Sequence, residues 1–280
     1  MTVAMRTISG PLEDEERQKA LFEGTLLIFK NVEHLATLCS FVDSMICEAF
    51  GTEHPARVQF GMEREDYLYR VEELQKRFRE EERTKTLLRR VLEGVGVDPT
   101  RSFWDRPHLR VSPHGDDHEN HKTQRLGFHR DTWASNVYSQ TNWWTPIYPI
   151  TTGRAIAFYP QYWGQPLKNT SAGWYLEEVK AGRIAAIVPE PTEPVDTSSE
   201  LRIVIEPRDL LCFSGTHLHA SVPNYTGLAR FSIEVRSADV ECEADGRGAP
   251  NLDGEAPHVA IRWFRRLEDD LPLSEALAGR

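Results

Sequence analysis

The feature that most constrains the fold of this chain is a change in the spacing of apolar residues near Phe103. Before it, apolar residues recur at helical spacing; after it, short apolar or alternating runs are separated by Gly, Pro and Asn. Short strands with frequent turn residues are typical of β-sandwiches and barrels. The runs that predict strands are 155–159, 184–188, 201–205, 210–213 and 231–235. We therefore expect a mainly β body behind a helical N-terminal part.

The N-terminal part predicts a layer of helices. Residues 11–50 favour helix, except for a compact apolar run at 26–29 that predicts a short strand. A second helical stretch, 62–93, is highly charged but carries one apolar stripe, which we expect to pack on the rest of the protein. The stripe consists of Tyr67, Val71, Leu74 and Phe78.

The whole chain, 1–280, predicts one domain. Its parts are a mainly helical layer at 1–100, a β core at 101–240 and a C-terminal tail at 241–280. The tail begins with a stretch rich in Gly and acidic residues, 241–254, which predicts a loop. We expect the tail to dock on the core through its Trp-Phe pair, because an exposed pair of large aromatic residues is unfavourable.

The charge and the cysteines of the chain limit the classes of partner and the cellular compartment that we expect. Lys and Arg number 33 against 43 Asp and Glu, a formal net charge of −10. Such a chain repels nucleic acid overall, and the basic residues of 76–90 are interleaved with acids, so we expect no nucleic-acid partner. No run of 18 apolar residues predicts a membrane span, and 1–17 lacks the apolar stretch of a secretory signal. Four cysteines without CxxC spacing favour free thiols in a reducing cytoplasm.

The first segment whose residue types could bind a metal or take part in catalysis is a His-x-Asp motif, His129 to Asp131. On a strand, residues i and i+2 point to the same face, about 7 Å apart, so both side chains could converge on one ion. An imidazole with a carboxylate suits a divalent metal such as Fe(II). Alone, the motif is a weak signal that often occurs by chance, and a surface His-Asp pair is then the ordinary interpretation.

Two further segments add to the motif. His217 and His219 share a face near the end of a predicted strand, and the pattern leaves both open as ligands. In 230–236, apolar and polar residues alternate, so that Arg230, Ser232, Glu234 and Arg236 share one face. Inside a barrel, an arginine on that face needs an anionic partner, because an unpaired buried charge is unfavourable. On a half-exposed strand, it would form an ordinary surface salt bridge.

Together, the order of these segments resembles the iron(II)- and 2-oxoglutarate-dependent oxygenases, and most of all their phytanoyl-CoA-hydroxylase-like branch. The His-x-Asp motif is followed by His219 and then, 11 positions later, by Arg230. The resemblance covers roughly 105–240 and implies a double-stranded β-helix, which is a jelly-roll, cupin-like barrel. It implies Fe(II), 2-oxoglutarate and O₂ as cofactor and cosubstrates.

The resemblance also assigns roles to residues. His129, Asp131 and His219 would be the iron ligands, since 219–224 resembles the pattern H-[GA]-S-x-x-N of the family; His217 would not be a ligand. Arg230, helped by Ser221 or Ser232, would hold the distal carboxylate of 2-oxoglutarate. Asp131 also argues against halogenation, because related halogenases have a small residue there.

One part of the pattern differs, and several neighbouring residues have less defined roles. The segment 152–160 resembles a strand and turn of the branch, but Gln161-Tyr162-Trp163 then replaces its small and histidine positions. We interpret His118 and His121 as solvated loop residues. The candidates for substrate contact are Trp133, Asn142, Trp144 and Arg236; barrel core or a structural ion pair is the alternative for each.

These observations predict a dioxygenase that hydroxylates an unactivated C–H bond of a small polar metabolite, with release of succinate and CO₂. An amino-acid-like or other carboxylate-bearing compound is the candidate substrate class. Desaturation, cyclisation or epimerisation at the same iron centre is the first alternative, because substrate placement decides the outcome. The alternative from another class is a non-catalytic jelly-roll protein that binds an anionic ligand at Arg230.

Overall fold

The computed structural model describes residues 4–115 and 123–280. Strands are β1 Met5–Ser9, β2 Leu26–Lys30, β3 Ser102–Trp104, β4 His108–Ser112, β5 Thr141–Pro146, β6 Ile156–Phe158, β7 Leu201–Ile203, β8 Leu210–Ser214, β9 His219–Ser221, β10 Arg230–Asp239 and β11 Arg265–Arg266. Helices are α1 Asp14–Phe22, α2 Leu35–Phe50, α3 Arg64–Glu80, α4 Glu82–Gly94, α5 Asp131–Ser135, α6 Leu176–Lys180, α7 Val240–Asp245 and α8 Leu273–Ala278.

Two sheets organise the β part of the described chain. The larger has eight strands in the order β1-β2-β8-β5-β10-β3-β11, with β4 also paired to β10. Its pairs are antiparallel except for β1 with β2. The smaller sheet has the order β7-β6-β9, and β9 also forms an isolated bridge through His219 to His129. From β4 to β10, therefore, the chain crosses between the two sheets four times: after β5, β7, β8 and β9.

The long strand β10 holds the centre of the larger sheet. It pairs with β4 through 230–234, with β5 through 232–237 and with β3 through 237–239. As the alternation predicts, Phe231, Ile233 and Val235 enter the same apolar core as the N-terminal helices. The polar side chains of the strand consequently face away from the helices, towards the smaller sheet.

The N-terminal helices pack on this apolar face of the larger sheet. The predicted stripe of α3 is buried, from Tyr67 to Phe78. Phe50 at the end of α2 links the helices to the sheet, since its ring lies 5.6 Å from Tyr67 and 6.1 Å from Phe231, centroid to centroid. These contacts fix β10 from behind.

Several predicted elements are confirmed and others need correction. The short strand at 26–29 exists as β2, and it joins the larger sheet. The stretch 62–93 is two helices, because Glu81 is extended between them. The run 184–188 forms no strand; it is irregular, and two of its residues, Ile187 and Val188, line a cleft. The predicted loop at 241–254 begins as helix α7, which Asp239 caps.

A small apolar cluster joins the C-terminal tail to the core. Phe264 is fully buried and packs with Phe103 and Val137, and Leu273 of α8 completes the cluster. One segment, Leu35–Phe60, is long and apolar enough to cross a membrane by length and composition alone. Its helix α2 places its apolar side in the main core, as the core helix of a soluble protein does.

Candidate metal centre

Three side chains that are far apart in sequence meet between the two sheets. His129, Asp131 and His219 each offer a ligand atom, and these atoms lie within 4.8 Å of one another. The side chains are buried, with relative exposures of 2%, 6% and 7%. Buried carboxylates and imidazoles need partners. The group is therefore a candidate metal centre with two nitrogen ligands and one oxygen ligand.

The local backbone differs from the strand that the motif predicts. His129 does pair with β9, since its backbone N–H and that of His219 each donate to the other's carbonyl at 3.0 Å. Asp131, however, is the first residue of helix α5. The chain turns between the two residues, so the carboxylate reaches the imidazoles from a helix start and not along a strand.

Backbone hydrogen bonds select which ring nitrogen of each histidine faces the cluster. The Nδ1 of His129 lies 2.8 Å from the carbonyl of Gly127, and the Nδ1 of His219 lies 3.0 Å from the carbonyl of His217. A carbonyl accepts, so each Nδ1 carries the proton and each Nε2 keeps its lone pair. Burial, reinforced by His219, lowers the pKa of His129 to about 4, so its ring is neutral near pH 7.

The carboxylate of Asp131 is held from two sides. Asn142 on β5 donates through Nδ2 to Oδ2 of Asp131, and Gln140 in turn donates to the side-chain oxygen of Asn142 at 2.9 Å. Nη1 of Arg236 lies 3.9 Å from Oδ1 of Asp131. The Nε2 of His219 lies 3.6 Å from Oδ2 of the same carboxylate. Asn142 thus contacts a candidate ligand directly.

His217 lies outside the cluster although it is buried beside it. Its Nδ1 lies 3.1 Å from the carbonyl of Ser214, and its Nε2 lies 3.1 Å from the carbonyl of Gly24. The ring is also 4.4 Å from the ring of Trp163, centroid to centroid. His217 therefore links β8 to the turn before β2, and its backbone carbonyl holds His219.

Arg230, at the start of β10, is buried next to the metal cluster and has spare hydrogen-bonding capacity. Its Nη1 donates to the carbonyls of Ala155 at 3.0 Å and Arg154 at 3.4 Å, and its Nη2 donates to Oγ of Ser221 at 3.3 Å. Its Nε has no partner in the described chain, and neither has the buried Oγ of Ser232. Burial lowers the pKa of Arg230 to about 10, because no carboxylate is paired with it.

A cavity connects Arg230 to the two histidines. Its lining includes His129, His219, Ser221, Trp144 and Glu234. Although burial raises the pKa of Glu234, Arg110 and the other cations nearby lower it further, and Arg110 donates to both of its carboxylate oxygens. Arg230, by contrast, has no carboxylate partner among the described residues and can receive an anion in this cavity.

A second cleft opens on the other side of Asp131, and Arg236 forms part of its wall. Arg236 is paired with Asp105, through both its side chain and its backbone N–H. Burial lowers the pKa of Arg236, but Asp105 and Asp131 raise it to a higher level than in water. Arg236 is therefore a charged wall of this cleft at any pH in which the protein is folded.

The structure places the four predicted substrate residues in four different environments. Arg236 lines the cleft, and Trp144 lines the Arg230 cavity. Asn142 is buried behind Asp131. Trp133 is fully buried in the core, and its Nε1 donates to Asp253 at 2.7 Å.

Two carboxylates near the centre were not identified from the sequence. Asp105 pairs with Arg236 across β3 and β10. Asp253 lies 3.2 Å from Nε of Arg130, the residue between the first two candidate ligands. Arg130 also donates to three backbone carbonyls and is almost fully buried. Both pairs join distant segments, so no local pattern signals them. His118 and His121 lie outside the described residues.

No protein-family model matches this sequence, and no curated protein matches it. Among solved structures, the non-heme alpha-ketoglutarate-dependent epimerase SnoN from nogalamycin biosynthesis is 15% identical, with a TM-score of 0.43 over 90% of this chain and 98% of that chain. EvdO2 from Micromonospora carbonacea var. aurantiaca, complexed with 2-oxoglutarate, is 13% identical, with a TM-score of 0.45 over 83% and 93%.

A third likeness is partial. EvdMO1 is 14% identical, with a TM-score of 0.31, and the alignment covers 49% of this chain and 27% of that chain. This chain therefore spans about a quarter of the length of EvdMO1. All three TM-scores lie below 0.5.

Proposed function

We propose that this protein is an iron(II)- and 2-oxoglutarate-dependent dioxygenase that hydroxylates an unactivated C–H bond of a small polar metabolite. One observation carries the proposal. Two buried imidazoles, grouped with a buried carboxylate, line the same cavity as a buried guanidinium that has no carboxylate partner among the described residues. A metal with a chelating, doubly charged 2-oxo acid would satisfy both groups at once.

The donor set fits Fe(II). Two histidines and one carboxylate on one face of an octahedral ion leave three positions open, as in non-haem iron oxygenases. His129, Asp131 and His219 would hold the ion. When bound, the iron supplies the oxidising chemistry that uses O₂ and decarboxylates 2-oxoglutarate to succinate and CO₂.

The protein's own residues would orient the reactants. The Nε–H and the remaining Nη2–H of Arg230 form one edge of the guanidinium fork, which matches the distal carboxylate of 2-oxoglutarate. Ser221 and Ser232 would complete this site, since the first already contacts Arg230 and the second has an unsatisfied hydroxyl. Asn142 would orient Asp131.

The fold supports the same proposal. We propose that the two sheets form a double-stranded β-helix within a single domain, with the helices of 1–100 on one face and the tail of 241–280 docked on the core. The order β4-β10-β5-β8 in one sheet and β9-β6-β7 in the other supports it, because the chain crosses between the two sheets four times from β4 to β10. The His219 to Asn224 motif supports the phytanoyl-CoA-hydroxylase-like branch, and the four thiols support a cytoplasmic location.

The experiment that tests this function is anaerobic addition of Fe(II) and 2-oxoglutarate to the purified protein. We expect the weak visible charge-transfer band of a chelated 2-oxo acid. Asp131→Ala should lose the band and iron-dependent succinate formation, whereas Asp245→Ala, which removes an exposed carboxylate from α7, should keep both. A protein that binds 2-oxoglutarate without the band would be a binding module. Near wild-type succinate formation by Asp131→Ala would refute the iron assignment.

The same residues would also serve desaturation, cyclisation or epimerisation, because the ligands do not set the outcome. The mass of the product separates these reactions. Hydroxylation adds one oxygen atom, desaturation and ring formation remove two hydrogen atoms, and epimerisation leaves the mass unchanged. We expect the first result once a substrate has been identified.

A further inference from the structure

The cleft beside Asp131 is lined mainly by cationic side chains, although the chain as a whole is acidic. Among the described residues, six cationic side chains line it against three carboxylates. The cations are Arg79, Arg106, Arg110, Lys180, Arg236 and Arg262. The whole chain has a formal net charge of −10, so the cleft is a local basic region in an acidic protein. A cleft lined mainly by one sign of charge concentrates ligands of the opposite sign.

Half of these cations are already paired inside the protein. The pairs are Arg236 with Asp105, Arg262 with Glu177, and Arg110 with Glu234. The other three have no ion-pair partner within the described parts of the chain: they are Arg79, Arg106 and Lys180. They belong to three separate elements, namely α3, the loop between β3 and β4, and the end of α6. Their charges are therefore available to a ligand.

The rest of the cleft is apolar and partly flat. Trp174 and Trp263 contribute indole rings, and Leu176, Ile187 and Val188 add aliphatic surface. Trp174 is anchored through its Nε1, which donates to a backbone carbonyl at 3.0 Å. The guanidinium of Arg236 lies 5.6 Å from the ring centre of Trp263. Anchored indole rings favour an aromatic or otherwise flat ligand.

We propose that this cleft binds an anionic organic substrate with a flat, apolar body. The charged group pairs with Arg79, Arg106 and Lys180, and the body lies against Trp174 and Trp263 and extends towards Asp131. This proposal rests on the oxygenase function proposed above, because that function makes the ligand a substrate. The charged end is held at the rim, so the reactive C–H bond belongs to the apolar body.

The test is a calorimetric titration of the full-length protein with naphthalene-2-sulfonate and with the neutral naphthalene-2-methanol. Saturating 2-oxoglutarate is present, so that Arg230 is occupied. We expect the sulfonate to bind at least tenfold more tightly than the alcohol. The triple variant Arg79→Gln, Arg106→Gln, Lys180→Gln should weaken sulfonate binding about tenfold and leave alcohol binding unchanged, because three charges at exposed or half-exposed positions together contribute roughly this much.

The matched control is Lys19→Gln, Lys76→Gln, Arg90→Gln. It removes the same three charges from exposed positions on α1, α3 and α4, outside the cleft, and should change sulfonate binding less than twofold. If both triple variants lost the same sulfonate affinity, the loss would come from the change in net charge alone, and the proposal would be overturned. Equal binding of the alcohol and the sulfonate would overturn it as well.

A final arm separates this proposal from the oxygenase function. In metal-free Arg230→Ala, the sulfonate should bind as it does in the wild type, since Arg230 lines the other cavity. Loss of sulfonate binding there would place the anion at Arg230 and overturn the cleft assignment. Failure of the charge-transfer band, with sulfonate binding intact, would instead overturn the oxygenase function and leave an anion-binding cleft.

Discussion

Replacing Arg230 by alanine should raise the KM for 2-oxoglutarate steeply while the metal stays bound. Arg230 has five N–H donors, of which three are used: two towards the carbonyls of Arg154 and Ala155 and one towards Ser221. The Nε–H and one Nη2–H are left, side by side. They form the edge of the guanidinium that can donate two hydrogen bonds to one carboxylate.

The magnitude follows from these two free donors. A hydrogen bond to a charged group contributes about 1.5 kcal/mol at the low end of its range, so two contribute about 3 kcal/mol. At about 1.4 kcal/mol per tenfold, the affinity for 2-oxoglutarate should fall roughly 100-fold. Arg230→Lys should be intermediate, because an ammonium keeps the charge but lacks the planar fork. Ser221→Ala should have a smaller effect, since Ser221 contacts one edge of the fork.

The assay is succinate formation against 2-oxoglutarate concentration, with bound metal measured after dialysis. Arg90→Ala serves as the control, because it removes an exposed arginine from α4. An unchanged KM for 2-oxoglutarate in Arg230→Ala would refute the cosubstrate assignment. Loss of metal in the same variant would show that Arg230 supports the metal centre instead, and the two-donor argument would fail.

Three further predictions concern the metal centre and its surroundings. His219→Ala should lose metal on dialysis while His217→Ala keeps most of it; the reverse result would move the ligand to His217. Asn142→Ala should weaken metal binding roughly tenfold to 100-fold through Asp131, with the fold intact by circular dichroism. In the folded, metal-free protein, burial lowers the pKa of His129 and of His217 to about 4. In the unfolded chain, both histidines have a pKa of about 6.5. Between pH 6.5 and pH 4, the unfolded chain therefore binds more protons than the folded chain. The free energy of unfolding in urea should thus be fully present above pH 6.5 and fall as the pH drops towards 4; a flat profile would contradict this.

Local patterns predicted the parts of the fold that depend on local physics. The stripe on α3 and the alternation on β10 each place apolar side chains on one face, and both faces are buried as the period requires. The same alternation put Arg230 and Arg236 on the face opposite the helices. The run at 26–29 was short and apolar enough to predict β2, but its pairing with β8 is a contact across most of the chain.

Other features depend on contacts that no window of sequence contains. The start of α5 at Asp131 was missed, because the motif reads equally well as a strand. The apolar run 184–188 is irregular, and Ile187 and Val188 line a cleft; apolar residues at a cleft give the same composition as a short strand. The pairs of Asp105 with Arg236 and of Asp253 with Arg130 join residues more than a hundred positions apart. Composition marks both acids as ordinary surface residues.

The polar face of β10 also explains how one strand contributes an arginine to each of the two cavities, Arg230 to one and Arg236 to the other. Arg230 and Arg236 are six residues apart, or about 20 Å at 3.3 Å per residue. Arg230 contacts Ser221, two residues beyond His219, and Arg236 lies 3.9 Å from Asp131. The candidate metal ligands therefore lie between the two guanidiniums along the strand. Because Phe231 and its apolar neighbours fix the other face of β10 to the helices, the two guanidiniums and the candidate ligands keep a constant spacing. A cosubstrate held at one end and a substrate entering from the other would thus approach the metal from opposite sides.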